Sequence, residues 1–321
     1  MRAIHAAAAT VASAALLGST ADPASNRAEM PQGRLVLGLH PPERVAVLDV
    51  ASGALVERRL PGGTLCHGPL MVSGDEVFFL GSRRGRAALM SFDLALKRRP
   101  RVVSLSRRQY IPSAREGAFW TLARSGAVRE ETPDGRVLFR SRRRPPAGYP
   151  MGATAAGIVL EHRGSTRIWN PRSGSVRAAP GSWLIAASAD RSAWCGQRCR
   201  RLRLVGQDGS RAAQQLPRGW ALSPGTGSLS PDGSLLAVSA YREQRPNPTR
   251  IAIVRIGDGA LKLLPAPLPA AQGELAWSRS GEWLYVATSD RRIAAYRPQD
   301  QRLVTLPVRL ADEPIELSAA D

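Results

Sequence analysis

The sequence predicts an all-β chain in which one small unit is written seven times. Three observations carry that prediction. A strand–turn–strand signature spans residues 227–241. Apolar strand pairs recur about every 41 residues, a period of four-stranded repeat units. A last stretch, residues 312–318, is left over once the seven units are assigned.

The signature is sharp because each turn residue has a task. In Ser230-Pro231-Asp232-Gly233, proline presets φ, aspartate can bond the backbone ahead of it, and glycine accepts positive φ. Residues 235–241 then read as a buried strand. A second copy spans 273–287. Aligning Gly233 with Gly281 sets Leu235, Leu236, Ala237 and Val238 beside Trp283, Leu284, Tyr285 and Val286.

The other units follow by spacing. Anchors at Val36, Val77, Phe119, Val159, Ala193, Leu236 and Leu284 lie 34 to 48 residues apart. After each comes a second strand, a turn and a further strand. Six anchors also have a short strand before them. The expected fold is therefore a seven-bladed β-propeller of four-stranded antiparallel blades. The first anchor lacks its preceding strand. Residues 314–318 are expected to pair beside 35–39, so that a C-terminal strand completes blade one and no sheet edge stays open inside the ring. No 3.6-residue periodicity competes beyond the leader. The short fourth unit keeps a six-bladed ring or an open array as the alternative.

Composition agrees with one repeat domain. The chain has 321 residues, 43% of them hydrophobic, and a net charge of +19 from 45 basic and 26 acidic side chains. Only Lys97 and Lys262 are lysines. Such an arginine excess, with abundant Ala, Gly and Pro, fits GC-rich coding, which weakens charge alone as an argument for nucleic acid; no nucleic-acid partner is expected. At the start, a basic pentapeptide, an apolar run over 6–18 and the small residues Ser19-Thr20-Ala21 follow the order of a secretory signal peptide. The expected division is signal peptide 1–21, flexible linker 22–33 and propeller 34–321; a disordered Ala-rich leader is the alternative. The apolar run is too short for a membrane span. The chain is thus expected to be secreted or associated with the cell envelope.

The Ser-Pro-Asp-Gly turn, with Leu235-Leu236-Ala237-Val238, Ile251-Ala252-Ile253-Val254 and Gly257-Asp258-Gly259 after it, resembles TolB-like propellers. It is also similar to secreted propeller proteins of actinobacteria. The resemblance is clear over residues 220–310 and elsewhere rests on period and turn spacing. It implies the fold, and roles ranging from envelope scaffolding and peptide binding to propellers attached to serine peptidases. The Gly-His and Trp-Asp signatures of WD-repeat proteins are absent.

Few side chains suggest chemistry. Cys195 and Cys199 flank a three-residue loop between two strands, where a local disulfide is geometrically reasonable and export would tolerate it; free thiols are the alternative. Zinc is not expected, since no second Cys or His pair stands at ligand spacing. Cys66 reads as a buried small apolar residue. There is no Gly-x-Ser-x-Gly elbow. Beyond the leader the histidines are His40, His67 and His162, and Glu274 is the one clear acid near an inner strand. Neither a metal nor a cofactor is expected, and the chain reads as no enzyme.

Two groups remain as binding candidates. Residues 82–144 carry 17 basic and 5 acidic side chains. Arg98, Arg99, Arg142, Arg143 and Arg144 are the anion-binding candidates, against a merely solvated surface. At the entries to the inner strands stand His67, Tyr110, Tyr149, Trp183 and Trp220, which would line the mouth of a central pocket, or else pack between blades. The resulting expectation is a non-catalytic binding or scaffolding module at the bacterial cell envelope. Its partner would be an envelope protein, held at the entry-loop rim. The alternatives are an adaptor for anionic envelope polymers through the arginine-rich sector, and a propeller enzyme acting on a small molecule in the central pocket.

Overall fold

The computed structural model describes residues 30–320 apart from 41–42, 63, 107–108, 124, 244–248 and 265–269. The expected signal peptide, and the linker up to residue 29, lie outside the described residues. The chain divides into Met1–Met30 and Pro31–Asp321, and every described strand belongs to the second unit.

Seven antiparallel sheets form seven blades, and no helix occurs among the described residues. The inner strands of blades 2 to 7 are Thr64–Ser73, Gln109–Pro112, Tyr149–Thr154, Trp183–Ala187, Trp220–Leu222 and Ala270–Trp277. Blade 1 takes its inner strand from the other end of the chain. Glu313–Ala320 pairs antiparallel with Arg34–His40, with Leu37 opposite Leu317. The predicted closure is therefore the observed one, and the ring has seven blades.

Both faces of each blade are buried, so the middle strands are apolar throughout rather than alternating. In blade 1, Leu35, Leu37 and Leu39 pack with Tyr285 and Ala295 of blade 7. Val36 and Val45 pack the other way, with Val77 and Phe79 of blade 2. Each such fully buried side chain contributes roughly 1.5–3 kcal/mol. The outer strands are short of such contacts; Val176–Ala178 is exposed throughout.

The hairpins leaving the inner strands share one turn chemistry. In blade 6 the Ser230 hydroxyl donates to Asp232 and accepts from the Leu235 amide at 2.9 Å. The Gly233 amide bonds the Ser230 carbonyl at 2.8 Å, with Gly233 at φ +67°. Blade 7 repeats it: the Ser278 hydroxyl accepts from the Trp283 amide at 3.0 Å, and Gly281 returns to the Ser278 carbonyl at 2.9 Å. In blade 4, Thr154 accepts from the Ala156 amide.

Bulges interrupt several inner strands. Register shifts fall between Cys66 and Leu70, between Pro150 and Gly152, and between Leu184 and Ala186. Each bulge bends its strand and re-aims the side chains beyond it. In blade 6 the inner strand is broken, with Trp220–Leu222 and Ser228–Leu229 both pairing onto Leu235–Arg242.

Candidate functional site

A cavity of about 1250 Å³ opens where the inner strands end and turn back. Six blades line it: Ser318 and Ala319 from blade 1, residues 70–72 from blade 2, and 112–118 from blade 3. Residues 186–191 and 206–208 come from blade 5, 227–233 from blade 6, and Trp277 with Arg279 from blade 7. A space walled by the inner strands of six blades lies on the axis of the ring.

The charged lining comes from the turns. Arg115, Arg191 and Arg279 enter from blades 3, 5 and 7. Four carboxylates accompany them, and two are committed locally. The Ser230 hydroxyl, then the Ser234 amide, hold the Asp232 carboxyl below its ordinary range. Ser210 does the same for Asp208, through hydroxyl and amide. Glu116 and Asp190 have no hydrogen-bond or ion-pair partner for their carboxylates among the described residues.

Behind the wall sits Glu130, 4% exposed. It accepts from the Ser113 hydroxyl at 2.7 Å and from Arg172 at 3.3 Å, and lies 3.9 Å from Arg115. A buried carboxylate must be paired and hydrogen-bonded to persist. Here its partners include Ser113 and Arg115, both on the cavity wall, so Glu130 fixes part of that wall. On the opposite side the Arg191 side chain passes Gly233, at 3.6 Å from where a Cβ would stand. Glycine at that turn serves φ; a Cβ there would meet Arg191 only at ordinary contact distance.

Tyr110, Tyr149, Trp183 and Trp220 do not line this cavity. They begin their strands, and the cavity forms where the strands end. Trp220 is buried, 8% exposed, with the Arg250 guanidinium 5.5 Å from its ring centre. The Tyr110 hydroxyl is hydrogen-bonded to Ser104 at 3.2 Å, and its ring meets Phe119 edge-on. Tyr149 and Trp183 are exposed, at 66% and 38%. His67 falls in the inner strand of blade 2, its side chain outside the described residues, as are those of Cys66 and Glu274.

The arginine candidates are not gathered into one patch. Arg98 and Arg99 line a separate cavity of about 670 Å³ with Arg34, Lys97 and Arg101. Arg101 is engaged there by Glu76 at 2.8 Å. Arg143 lies against Gly174 and Arg144 against Gly126, so close that a Cβ on either glycine would clash. Those two side chains are pressed onto turns of blades 4 and 3. Arg142 is exposed.

The Cys195–Cys199 disulfide is present, with Cα atoms 4.8 Å apart. Its loop is tied to blade 6, where the Leu222 amide bonds the Cys199 carbonyl at 2.9 Å. Among the described residues no three His, Cys, Asp or Glu side chains stand together as a metal site requires. No helix of the described residues is long and apolar enough to cross a membrane.

The cavity residues left one signal in the sequence. In blades 3, 5 and 7 an arginine follows, by one to three residues, the serine that closes the inner strand: Ser113 and Arg115, Ser188 and Arg191, Ser278 and Arg279. A search by repeat position rather than by catalytic motif finds it.

No family model and no curated protein matches the chain. Solved structures do. An oligogalacturonate lyase in complex with manganese matches at 16% identity and TM-score 0.57, over 88% of this chain and 86% of that one. The periplasmic gluconolactonase of Pseudomonas aeruginosa matches at 17% identity and TM-score 0.54, over 89% and 98%. TolB from Acinetobacter baumannii is similar at 16% identity and TM-score 0.47, over 90% and 67%. At these identities the likeness establishes the propeller fold.

It also corrects the functional expectation. The lyase and the lactonase carry enzyme names on the very architecture from which a non-catalytic module was expected. The readings of a non-catalytic binding or scaffolding module, and of no enzyme, do not stand. The search for acids near the inner strands missed the charged groups of the turns, which line the cavity from blades far apart along the chain. A ring assembles its site from turns of six blades.

Proposed function

We propose that the chain is an enzyme acting on a small, polyhydroxylated sugar acid or sugar-acid lactone, bound in the axial cavity. The observation that carries this is the convergence of Arg115, Arg191 and Arg279 on one cavity, from turns spread around the ring. Guanidinium groups bind carboxylates in a forked geometry and stabilise negative charge that grows during reaction. Lactone opening and elimination beside a carboxylate both develop such charge. Asp190 and Glu116 are the carboxylates available to move a proton, since Asp208 and Asp232 are held in their turns. Among the described residues no three His, Cys, Asp or Glu side chains stand together as a metal site requires, and no step is assigned to a metal. The names of the lyase and the lactonase support the substrate class. The protein is further proposed to be exported: the disulfide supports an oxidising compartment, and the leader of residues 1–21 agrees with it.

The test is turnover of sugar-acid lactones and uronates by the purified protein. Arg191→Ala and Arg279→Ala should each lower kcat/KM about 100-fold, the scale of one lost donor to developing charge. The thermal midpoint of Arg191→Ala should match the parent. Absence of turnover across the panel, or variants as active as the parent, overturns the proposal.

A further inference from the structure

The axial cavity does not end at the axis. Blade 4 contributes nothing to its lining; residues 154–156, its inner turn, face a second cavity of about 370 Å³ between blades 4 and 5. Asp190, Arg191, Gly206 and Gln207 line both spaces. A third space, about 220 Å³, meets them again at Arg191 and Gly206. Arg191 therefore stands at a junction. The second cavity, which shares it, is also lined from the outermost strands, Val176–Ala178 of blade 4 and Arg211–Gln215 of blade 5. Arg177 and Arg211 flank that outer stretch, and neither guanidinium has a partner among the described residues.

Size and lining decide what fits. Sites for one small ligand span roughly 300–1,000 Å³. The axial cavity alone is larger than that, and it continues. The second cavity's lining mixes kinds: cations at Arg191, Arg177 and Arg211, the carboxylate of Asp190, and the neutral polar groups of Ser175, Ser192 and Gln207. Cations that share one lining with hydroxyl and amide groups suit a chain bearing both carboxylates and hydroxyls. A polyphosphate, charged at every link and without hydroxyls, would leave those neutral groups unmatched and bring its charge to Asp190.

We propose that the substrate is an acidic oligosaccharide. Its terminal sugar acid sits in the axial cavity, and the following residues lie outward between blades 4 and 5 with carboxylates on Arg177 and Arg211. This rests on the axial cavity being the catalytic one, and it adds subsites beyond it.

Binding of a uronate monomer, dimer and tetramer, measured by calorimetry, tests it. The tetramer should bind about tenfold more tightly than the monomer, the effect of one added charge-assisted contact. Arg177→Ala and Arg211→Ala, both at exposed positions, should remove that gain and leave the monomer's affinity unchanged. A tetramer no tighter than the monomer, or variants that weaken both equally, overturns the proposal. Polyphosphate binding more tightly than the uronate tetramer overturns the saccharide class. Failure of the underlying reading looks different: tetramer binding sensitive to Arg177 and Arg211, without turnover and indifferent to Arg191 and Arg279. That result overturns the catalytic cavity and the placing of the terminal residue in it.

Discussion

The inner strands begin and end in two unlike places. At their beginnings stand large aromatic side chains; at their ends stand serine, aspartate, glycine and arginine. The beginnings look the richer in binding groups, yet their aromatics serve packing or face solvent. Trp220 is buried in the cluster that joins blades 5 and 6, and Tyr110 is braced by Phe119 and Ser104. The ends look like mere turns, yet they enclose the largest cavity described. Tight turns carry short side chains and leave space on the axis. A residue's local role and its place in a site are thus separate questions.

The contrast can be broken most forcefully at Trp220. Replacement by alanine should cost about 3–5 kcal/mol, the range for a buried aromatic truncated in a core. Urea unfolding would measure it. The folded fraction should keep its kcat/KM; a variant that loses turnover while staying folded would return the site to the strand beginnings.

A smaller effect is expected at Glu130→Ala. Here the loss should be about 1–3 kcal/mol, because Ser113 and the flanking arginines lose a buried acceptor. Unlike Trp220, it should also lower turnover, since Ser113 and Arg115 line the cavity. Stability loss with unchanged kcat/KM would show that Glu130 supports only the blade.

The smallest effect is at Asp300, in an outer turn of blade 7. Hydrogen bonding from the Arg297 side chain holds its carboxyl at about 2, against an ordinary 3.8. Because the folded value is the lower one, the stabilisation is present above the unfolded value and fades as pH falls through about 2. Asp300→Asn should therefore be slightly less stable than the parent at neutral pH and indistinguishable from it near the acid end. The carboxylate is open to solvent screening while the Arg297 side chain is largely covered, so added salt should shrink the gap only in part. A difference that grows on acidification would contradict this pairing.

How much of this was legible beforehand follows from the same contrast. The fold could be read because its signals are local: the turn at residues 230–233 names its own geometry, and the anchors repeat at a fixed spacing. Even the closing strand could be placed, since an incomplete first blade and a spare strand imply one another. The cavity could not be read in that way. Asp190, Arg191 and Gly233 occupy turns where their residue types already have a sufficient local reason to be. Their convergence depends on ring geometry, which no stretch of sequence contains. The rim aromatics show the reverse difficulty. They hold equivalent places along the chain, but their strands differ: one-residue bulges follow Pro150 and Leu184, while the inner strand of blade 6 breaks after Leu222. Tyr149 and Trp220, alike in repeat position, end as exposed and buried.

The clasp between Glu313–Ala320 and Arg34–His40 bears on the order of assembly. Six blades can draw all their strands from neighbouring chain as it is made. The first blade has to wait, its leucines unmatched, until the last strand arrives from the far side of the sequence. Contacts of such long separation slow folding and tie distant parts into one cooperative step. The earliest part of the barrel-like ring to be synthesised is therefore the last to be finished, and damage at residue 317 is felt at residue 37.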